Sequence, residues 1–381
     1  MKKIYSFSLI IALIGALFAG CDDAEYGIID NSIYLNDATG SAKAVTLTME
    51  DEVIINVNVR LAKKVNQDVE VAIKLNSELL TSYNEANNTE YFPVPDFNLP
   101  ENASVIIPAG EINAVYTFSV KDFETNGKQY ALGVELGNVL AGEISKSSSQ
   151  SKFIYLLSKP LNVSIPVLSG IGGKKINASP EADWGITTNQ WSLEFWSKMS
   201  AYSKNNQAVF NTGSKDHEIY IRFGDANRPY NYLQIKTLGG QIETASDLVP
   251  NEWYHWAFVY DGVSLTIYRN GKQNVKFDPP APQGGSVRFD YLQMISSGGW
   301  FVDQCGMSQV RLWKTAISQS QIENNMYYAI NPENKDLIGY WPMDEGEGNT
   351  FSDISGNGHE AVADEGILLR WEHGIRFDQQ Q

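Results

Sequence analysis

Cysteine is almost missing from this chain of 381 residues, which holds only Cys21 and Cys305. Cys21 sits at the edge of a leader, so the body of the chain has one thiol and no internal disulfide. Stability must then come from buried apolar cores. Positive charge is also scarce: 29 Lys and Arg stand against 45 Asp and Glu, a formal charge of -16. That balance argues against nucleic acid and against docking on anionic lipid, both of which reward basic patches, and leaves a neutral or cationic ligand open. Beyond residue 20 no apolar run reaches membrane-spanning length. The four histidines, His217, His255, His359 and His373, show no H-E-x-x-H spacing and no obvious Ser or Cys partner.

What is present begins with a targeting segment over residues 1–20. Lys2 and Lys3 open it, residues 4–17 are an apolar stretch too short to span a bilayer, and Ala19-Gly20 is a small-residue cleavage site. Phe18-Ala19-Gly20-Cys21 resembles a bacterial lipobox, which implies that Cys21 is the acylated first residue of the mature protein. Asp22, Asp23 and Glu25 resemble the acidic export signal of surface lipoproteins in Gram-negative glycan-utilisation systems, which implies an outer-membrane, lipid-anchored, outward-facing protein.

Apolar residues at 43% and aromatics at 12% point to a folded chain, and 31 Gly with 14 Pro point to a turn-rich, all-β one. The length suits two domains. Strands are expected at 32–35, 44–49, 53–60, 69–75, 104–107, 115–120, 130–136 and 154–157, with one helical interruption near 77–87, the layout of a β-sandwich. Ser158-Lys159-Pro160 breaks the pattern. We therefore read residues 21–159 as an Ig-like sandwich and 160–381 as a second domain. The first resembles the domain of unknown function at the N-terminus of many surface glycan-utilisation lipoproteins, through its VEVAIKLNSELLTSYNEAN run, VIIPAGE and YALGVELG. Its expected role is that of a spacer.

The second domain declares itself at 253–272, WYHWAFVYDGVSLTIYRNGK. Bulky residues fall on both faces of 253–260, as in an inner strand covered on both sides. Asp261-Gly262 and Asn270-Gly271 are the dipeptides of two-residue hairpin turns. This stretch, with WSLEFWSKM, MSQVRLW, a helix capped by Ser318 and the YWPMDEGEGNTFSDISGNG block, resembles laminin G-like, concanavalin A-like modules and implies a jelly roll. The last block often opens such modules, whereas here it closes the chain.

The same fold hosts glycoside hydrolases, which need paired carboxylates about 5 to 10 Å apart. The E-x-D-x-x-E signature of one such family is absent, as is the D-x-x-D-x-D-x-E run of another family often fused to these two domains, and Glu181-Ala182-Asp183 lacks a third acid. Cys305 reads as a small buried hydrophobe, and His255 as a packed residue with a satisfied ring. Asp353 and Asn357 lie in an oxygen-rich turn, either a structural Ca²⁺ site, with Asp344, Glu345 and Glu347 nearby, or an Asx turn holding its own backbone. Sugars are held by aromatic faces flanked by polar side chains that bond hydroxyls. Three loops offer such groups: Trp184; Asp225, Asn227, Arg228 and Tyr230 with Asn231; and Trp300. The resemblance and these loops together imply a non-catalytic, glycan-binding surface lipoprotein that captures oligosaccharide beside an outer-membrane transporter. A protein-binding adhesin or surface-complex subunit, and an unrecognised glycosidase, are the alternatives.

Overall fold

The structure is a computed structural model of the chain and describes residues 31–39, 43–87, 89–170, 173–178, 184–213, 218–281 and 284–379. The leader, Cys21 with its acidic followers, the Glu181-Ala182-Asp183 triplet and His217 lie outside the described residues. Among those described, no helix is long and apolar enough to cross a membrane.

In the first half, Glu52–Leu61 alternates outward and buried side chains along its length, the period of a strand with one face in a core. It lies in a four-stranded sheet ordered Asn113–Lys121, Glu52–Leu61, Ser32–Leu35, Ser145–Lys146. A second sheet runs Ala44–Thr48, Lys152–Ser158, Gln129–Ala141, Val69–Leu75, Ser104–Ile107, with Tyr91–Pro93 beside Gln129–Ala141. Ile55, Val57 and Val59 from one sheet meet Val71, Val134 and Phe153 from the other in one core. The expected helix is Glu78–Asn87. Its Asn84 clamps the strand beside it, donating to the Tyr91 carbonyl and accepting from the Tyr91 amide, both at 2.9 Å. Tyr91–Pro93 and Ser145–Lys146 escape a sequence reading because two or three residues show no period.

The second half is a jelly roll of two large sheets. One is ordered Lys272–Phe277, Leu265–Arg269, Trp253–Tyr260, Trp191–Met199, Cys305–Trp313, Asn162–Leu168, Leu368–Arg376, with Leu337–Trp341 beside Cys305–Trp313. Trp253–Tyr260 is an inner strand, as expected. Trp256, Phe258 and Tyr260 face the inter-sheet core, while Ala257 and Val259 pack with Trp313, Ile317 and Ile322 on the outer side. The helix Gln319–Asn325 provides that cover and is held by a capping box between Ser318 and Gln321. The module's first and last strands are neighbours, Asn162–Leu168 pairing with Leu368–Arg376.

One turn differs from expectation. Asn270 and Gly271 have φ of 51° and 78° and form the two-residue turn, but Tyr260 pairs with Leu265, leaving a four-residue connection at 261–264. Asp261 Oδ1 accepts from the amides of Val263 and Ser264 at 2.9 and 2.8 Å. The Asp side chain thus satisfies a wider loop that Asp-Gly spacing alone does not announce.

The sheet that concerns function has eight strands: β1 (Ile176–Ala178), β2 (Gln207–Thr212), β3 (Ile219–Phe223), β4 (Leu233–Thr237), β5 (Gly240–Glu243), β6 (Leu292–Met294), β7 (Thr350–Phe351) and β8 (Ala361–Ala363). Their order is β5-β4-β3-β2-β6-β1-β8-β7. Ile219, Ile221, Leu233 and Ile235 point into the core, so the residues between them form the opposite, polar face. Register aligns Asn177, Gln293, Asn211, Tyr220, Lys236 and Gln241 in one row across that face.

The two halves meet through the segment after the helix. The Leu161 amide donates to the Tyr327 carbonyl at 2.9 Å, Ser158 Oγ to Tyr328 Oη at 3.1 Å, and Gly127 abuts the Ile330 backbone.

Candidate functional site

Strand register decides which loops share an end of this sheet. Gln207 at the start of β2 pairs with Phe223 at the end of β3, and Phe223 pairs with Leu233 at the start of β4. The loop 224–232 therefore leaves at the Gln207 end. Phe210 pairs with Met294, the last residue of β6, and the Ser296 amide donates to the Ala208 carbonyl at 2.8 Å. The loop carrying Trp300 rises from that same end.

Trp184 does not. It follows β1 at the Ala178 end, where Ala178 pairs with Ala361, and its ring stacks on His359 at 4.1 Å and beside Trp341 at 6.3 Å. This corrects the three-loop expectation: Trp184 is a half-buried packing residue on the far end of the sheet. Neighbours distant in sequence made it so, and no local pattern marks the difference between Trp184 and Trp300.

The remaining candidates are brought together. Gly224 has φ of 65°, and a Cβ there would lie 2.7 Å from Tyr230 Cβ, so glycine lets Tyr230 fold tightly against the loop base. Arg228 Nε donates to Tyr230 Oη at 3.1 Å and its guanidinium sits 5.2 Å from the Tyr230 ring. The Arg228-Pro229 peptide is cis. Asp225 accepts from Arg222 at 2.6 Å and from the Gln234 amide at 3.1 Å. Gln234 Nε2 also reaches Glu243 at 3.2 Å, while its Oε1 accepts two bonds from Arg222. Asn231 braces the loop, donating to the Leu248 carbonyl at 3.0 Å. A depression of about 400 Å³ is lined here by Asp225, Asn227, Gln234, Gln241 and Glu243.

Residues 203–207 join this loop to the one bearing Trp300. Asn206 donates its amide to the Gly224 carbonyl at 2.9 Å and its Oδ1 accepts from Arg222 at 2.8 Å. Lys204 donates to the Gly299 carbonyl at 3.1 Å and lies 4.4 Å over the Trp300 ring. Gln207 and Ser203 both donate to Asp303. Trp300 itself is 49% exposed. Sequence reasoning missed Lys204, Asn206, Arg222, Gln234 and Glu243. Arg222 and Gln234 carry one signal, polar residues alternating with apolar ones on inner strands, but only register makes them partners.

The other expected chemistry is located elsewhere. Asp353 Oδ1 accepts from the amides of Tyr340 and Ser355 and from Ser355 Oγ at 2.9, 3.0 and 2.6 Å, and Oδ2 accepts from the His359 amide at 3.0 Å. Asn357 donates to the carbonyls of Leu337 and Ile338. Both side chains hold the turn, the Asx arrangement rather than an open cation cradle. Glu345 accepts from the Ser352 amide, and burial pushes the carboxyls of Asp344 and Glu345 up. Among the described residues no group of three or more His, Cys, Asp or Glu could hold a metal ion.

Cys305 is buried and its thiol is pushed up to about 12 by that burial. His255 is buried but not satisfied, contrary to expectation. Its Nδ1 has no partner among the described residues, and its Nε2 stands 3.6 Å from Glu194 Oε2, beyond hydrogen-bond reach. Burial, and then the charge of Arg311, lower its pKa to about 3. Burial pushes the Glu194 carboxyl up, against the pull of Arg311. Arg311 also donates to the carbonyls of Tyr328 and Asn325, so this cluster pins the segment that covers the sheet.

Comparison with known proteins accords with the fold. Residues 172–323 match the family of the concanavalin A-like lectin/glucanases superfamily, and residues 29–140 match the model of an N-terminal domain. No curated protein matches the chain in sequence. A Bacteroides ovatus protein proposed to bind carbohydrate is 20% identical, with a TM-score of 0.66 over 90% of this chain and 97% of that one. The SAP-like pentraxin of Limulus polyphemus is 16% identical over 56% of this chain and 95% of its own, at a TM-score of 0.38. EndoBT-3987 of Bacteroides thetaiotamicron, solved with a Man5GlcNAc product, is 20% identical over 33% and 30%, at 0.27. Fold and family match agree that the second half of this chain is a laminin G-like, concanavalin A-like jelly roll, carried behind an Ig-like β-sandwich.

Proposed function

We propose that the protein captures an extracellular oligosaccharide without cleaving it. The observation that carries this reading is the pairing, at one end of a polar-faced sheet, of two accessible aromatic rings, Trp300 and Tyr230, with a set of hydrogen-bonding groups at 225–228. Aromatic faces cover the C–H surface of a sugar ring, and fixed amides, carboxylates and guanidinium groups select its hydroxyls. Asp225 and Glu243 share the Gln234 amide, which suits acceptors held in place rather than two acids flanking a scissile bond. The fold match to a protein proposed to bind carbohydrate is consistent with this function.

In this proposal Cys21 carries the lipid anchor, the domain boundary falls near Pro160, and the first domain holds the second clear of the outer membrane beside a transporter. The test is a glycan array with the full chain, followed by Trp300→Ala and Tyr230→Ala. Each truncation removes a stacking face and is expected to weaken binding by about 1 kcal/mol or more, about fivefold or more. Binding to no glycan, or affinity unchanged in both variants, would sink the proposal, and release of reducing ends would replace capture by hydrolysis.

A further inference from the structure

In the second half arginine is almost wholly committed to carboxylates. The second half contains seven arginines, and six of them pair with a carboxylate: Arg222 with Asp225, Arg269 with Asp247, Arg288 with Asp290, Arg311 with Glu194, Arg370 with Glu372 and Arg376 with Asp378. Arg228 is the exception among the described residues. It is exposed, its Nε is engaged by Tyr230 Oη, and its two terminal amino groups have no hydrogen bond within the described residues. These are the atoms that meet a carboxylate in a two-pronged pair.

A second cation stands in the same condition at the same end. Lys204 lies over the Trp300 ring at 4.4 Å, bonds only to the Gly299 carbonyl, and has no carboxylate partner among the described residues. The acids nearby are already committed, Asp225 to Arg222 and Gln234, Asp303 to Ser203 and Gln207. Each open cation therefore accompanies an accessible aromatic, and neither is neutralised by a neighbour. The two loops leave strands two to three places apart in the sheet, roughly 10 to 14 Å at the usual strand spacing, a span suited to more than one sugar unit.

We infer that the ligand is an acidic saccharide, one bearing carboxylate groups such as a uronic or sialic acid, with Arg228 and Lys204 taking the acid and Tyr230 and Trp300 the sugar rings. The inference rests on the capture reading above and sharpens it. It also qualifies the expectation drawn from net charge, because a local pair of open cations governs contact while the global charge governs only approach.

The test uses the full chain on an array holding neutral, uronate-bearing, sialate-bearing and sulfated glycans, followed by titration of the best acidic ligand against its carboxyl-reduced form. A charge-assisted hydrogen bond should make the acidic form bind about tenfold tighter or better, and the advantage should shrink as sodium chloride is raised. Arg228→Gln and, separately, Lys204→Gln should lower the ratio of acidic to neutral affinity, a readout that a merely structural role would not move. Equal affinity for the two forms, a ratio unchanged in both variants, or binding of sulfated but not carboxylated glycans overturns the inference while leaving capture intact. Binding to nothing on the array removes both.

Discussion

Replacement of His255 by Gln tests the buried cluster most directly. The side chain of His255 is 1% exposed, lies edge-on to Trp196 at 5.2 Å, and faces Glu194, with Arg311 on the other side of that carboxylate. Its pKa falls from 6.5 to about 3 through burial, and then through the charge of Arg311. The folded protein thus holds a neutral imidazole where the unfolded chain takes up a proton below pH 6.5. The stability tied to this group is complete above pH 6.5 and is lost as pH falls from there toward 3. At about 1.4 kcal/mol per pH unit, the loss attributable to His255 is about 2 kcal/mol at pH 5 and about 3 kcal/mol at pH 4.

Glutamine has no proton to gain, so the His255→Gln variant should lack this slope whatever offset it shows at neutral pH. Urea denaturation followed by tryptophan fluorescence is a clean assay, because all nine tryptophans fall after residue 183 and report on the second half alone. Glu194 works in the opposite sense: a carboxyl raised by burial contributes stability that declines as pH rises above its unfolded value. It is present in both proteins, so the wild-type minus variant difference, taken at pH 7.5 and at pH 5.0, isolates the histidine. A difference that changes by less than about 0.5 kcal/mol between the two pH values would refute the reasoning.

Four further outcomes are expected. Gly127→Ala puts a Cβ 1.9 Å from the Ile330 carbonyl oxygen at φ of 69°; a cost of about 2 to 4 kcal/mol should appear as faster proteolysis between the halves or a larger radius of gyration, and an unchanged protein would contradict the contact. Asp353→Ala strands the four donors that its carboxylate holds and should destabilise by about 2 to 4 kcal/mol, whereas chelator should leave the melting temperature unchanged; a fall restored by Ca²⁺ would reverse that reading. Cys305, buried with its thiol raised to about 12, should resist thiol reagents until the protein unfolds, so rapid stoichiometric labelling of native protein would count against it. Trp184→Ala should cost about 2 kcal/mol of stability through lost stacking while leaving the affinity of any glycan that Trp300 binds unaltered, and a parallel loss of affinity would restore Trp184 to the site.

How legible each feature was depended on its range in sequence. The hairpin at 253–277 was readable because aromatic and β-branched density, turn dipeptides and two-faced apolarity are all local signals. Even there Asp261 misled, since its side chain closes a four-residue loop that its sequence neighbour Gly262 does not require. Asp225, Asn227, Arg228 and Tyr230 could be proposed as a group because they share one loop. Their supporting residues could not, because Asn206, Arg222, Gln234 and Glu243 meet only through three strand pairings. His255 showed the same limit: its burial followed from the strand pattern, but its missing partner depended on how far Glu194 reaches from the next strand.

By itself the sequence determined an all-β chain with two cores and loops rich in sugar-compatible side chains, because strand period, turn chemistry and aromatic content act over a few residues at a time; the jelly roll of the second half was implied by its resemblance to laminin G-like modules. Only the tertiary structure decided that Trp300 and the 224–232 loop share one end of a sheet, that Trp184 stacks at the other, and that, of the second half's seven arginines, Arg228 is the one without a carboxylate partner among the described residues. Those outcomes are set by the register of strands far apart in the chain. A shift of one residue in any pairing would turn every following side chain to the opposite face.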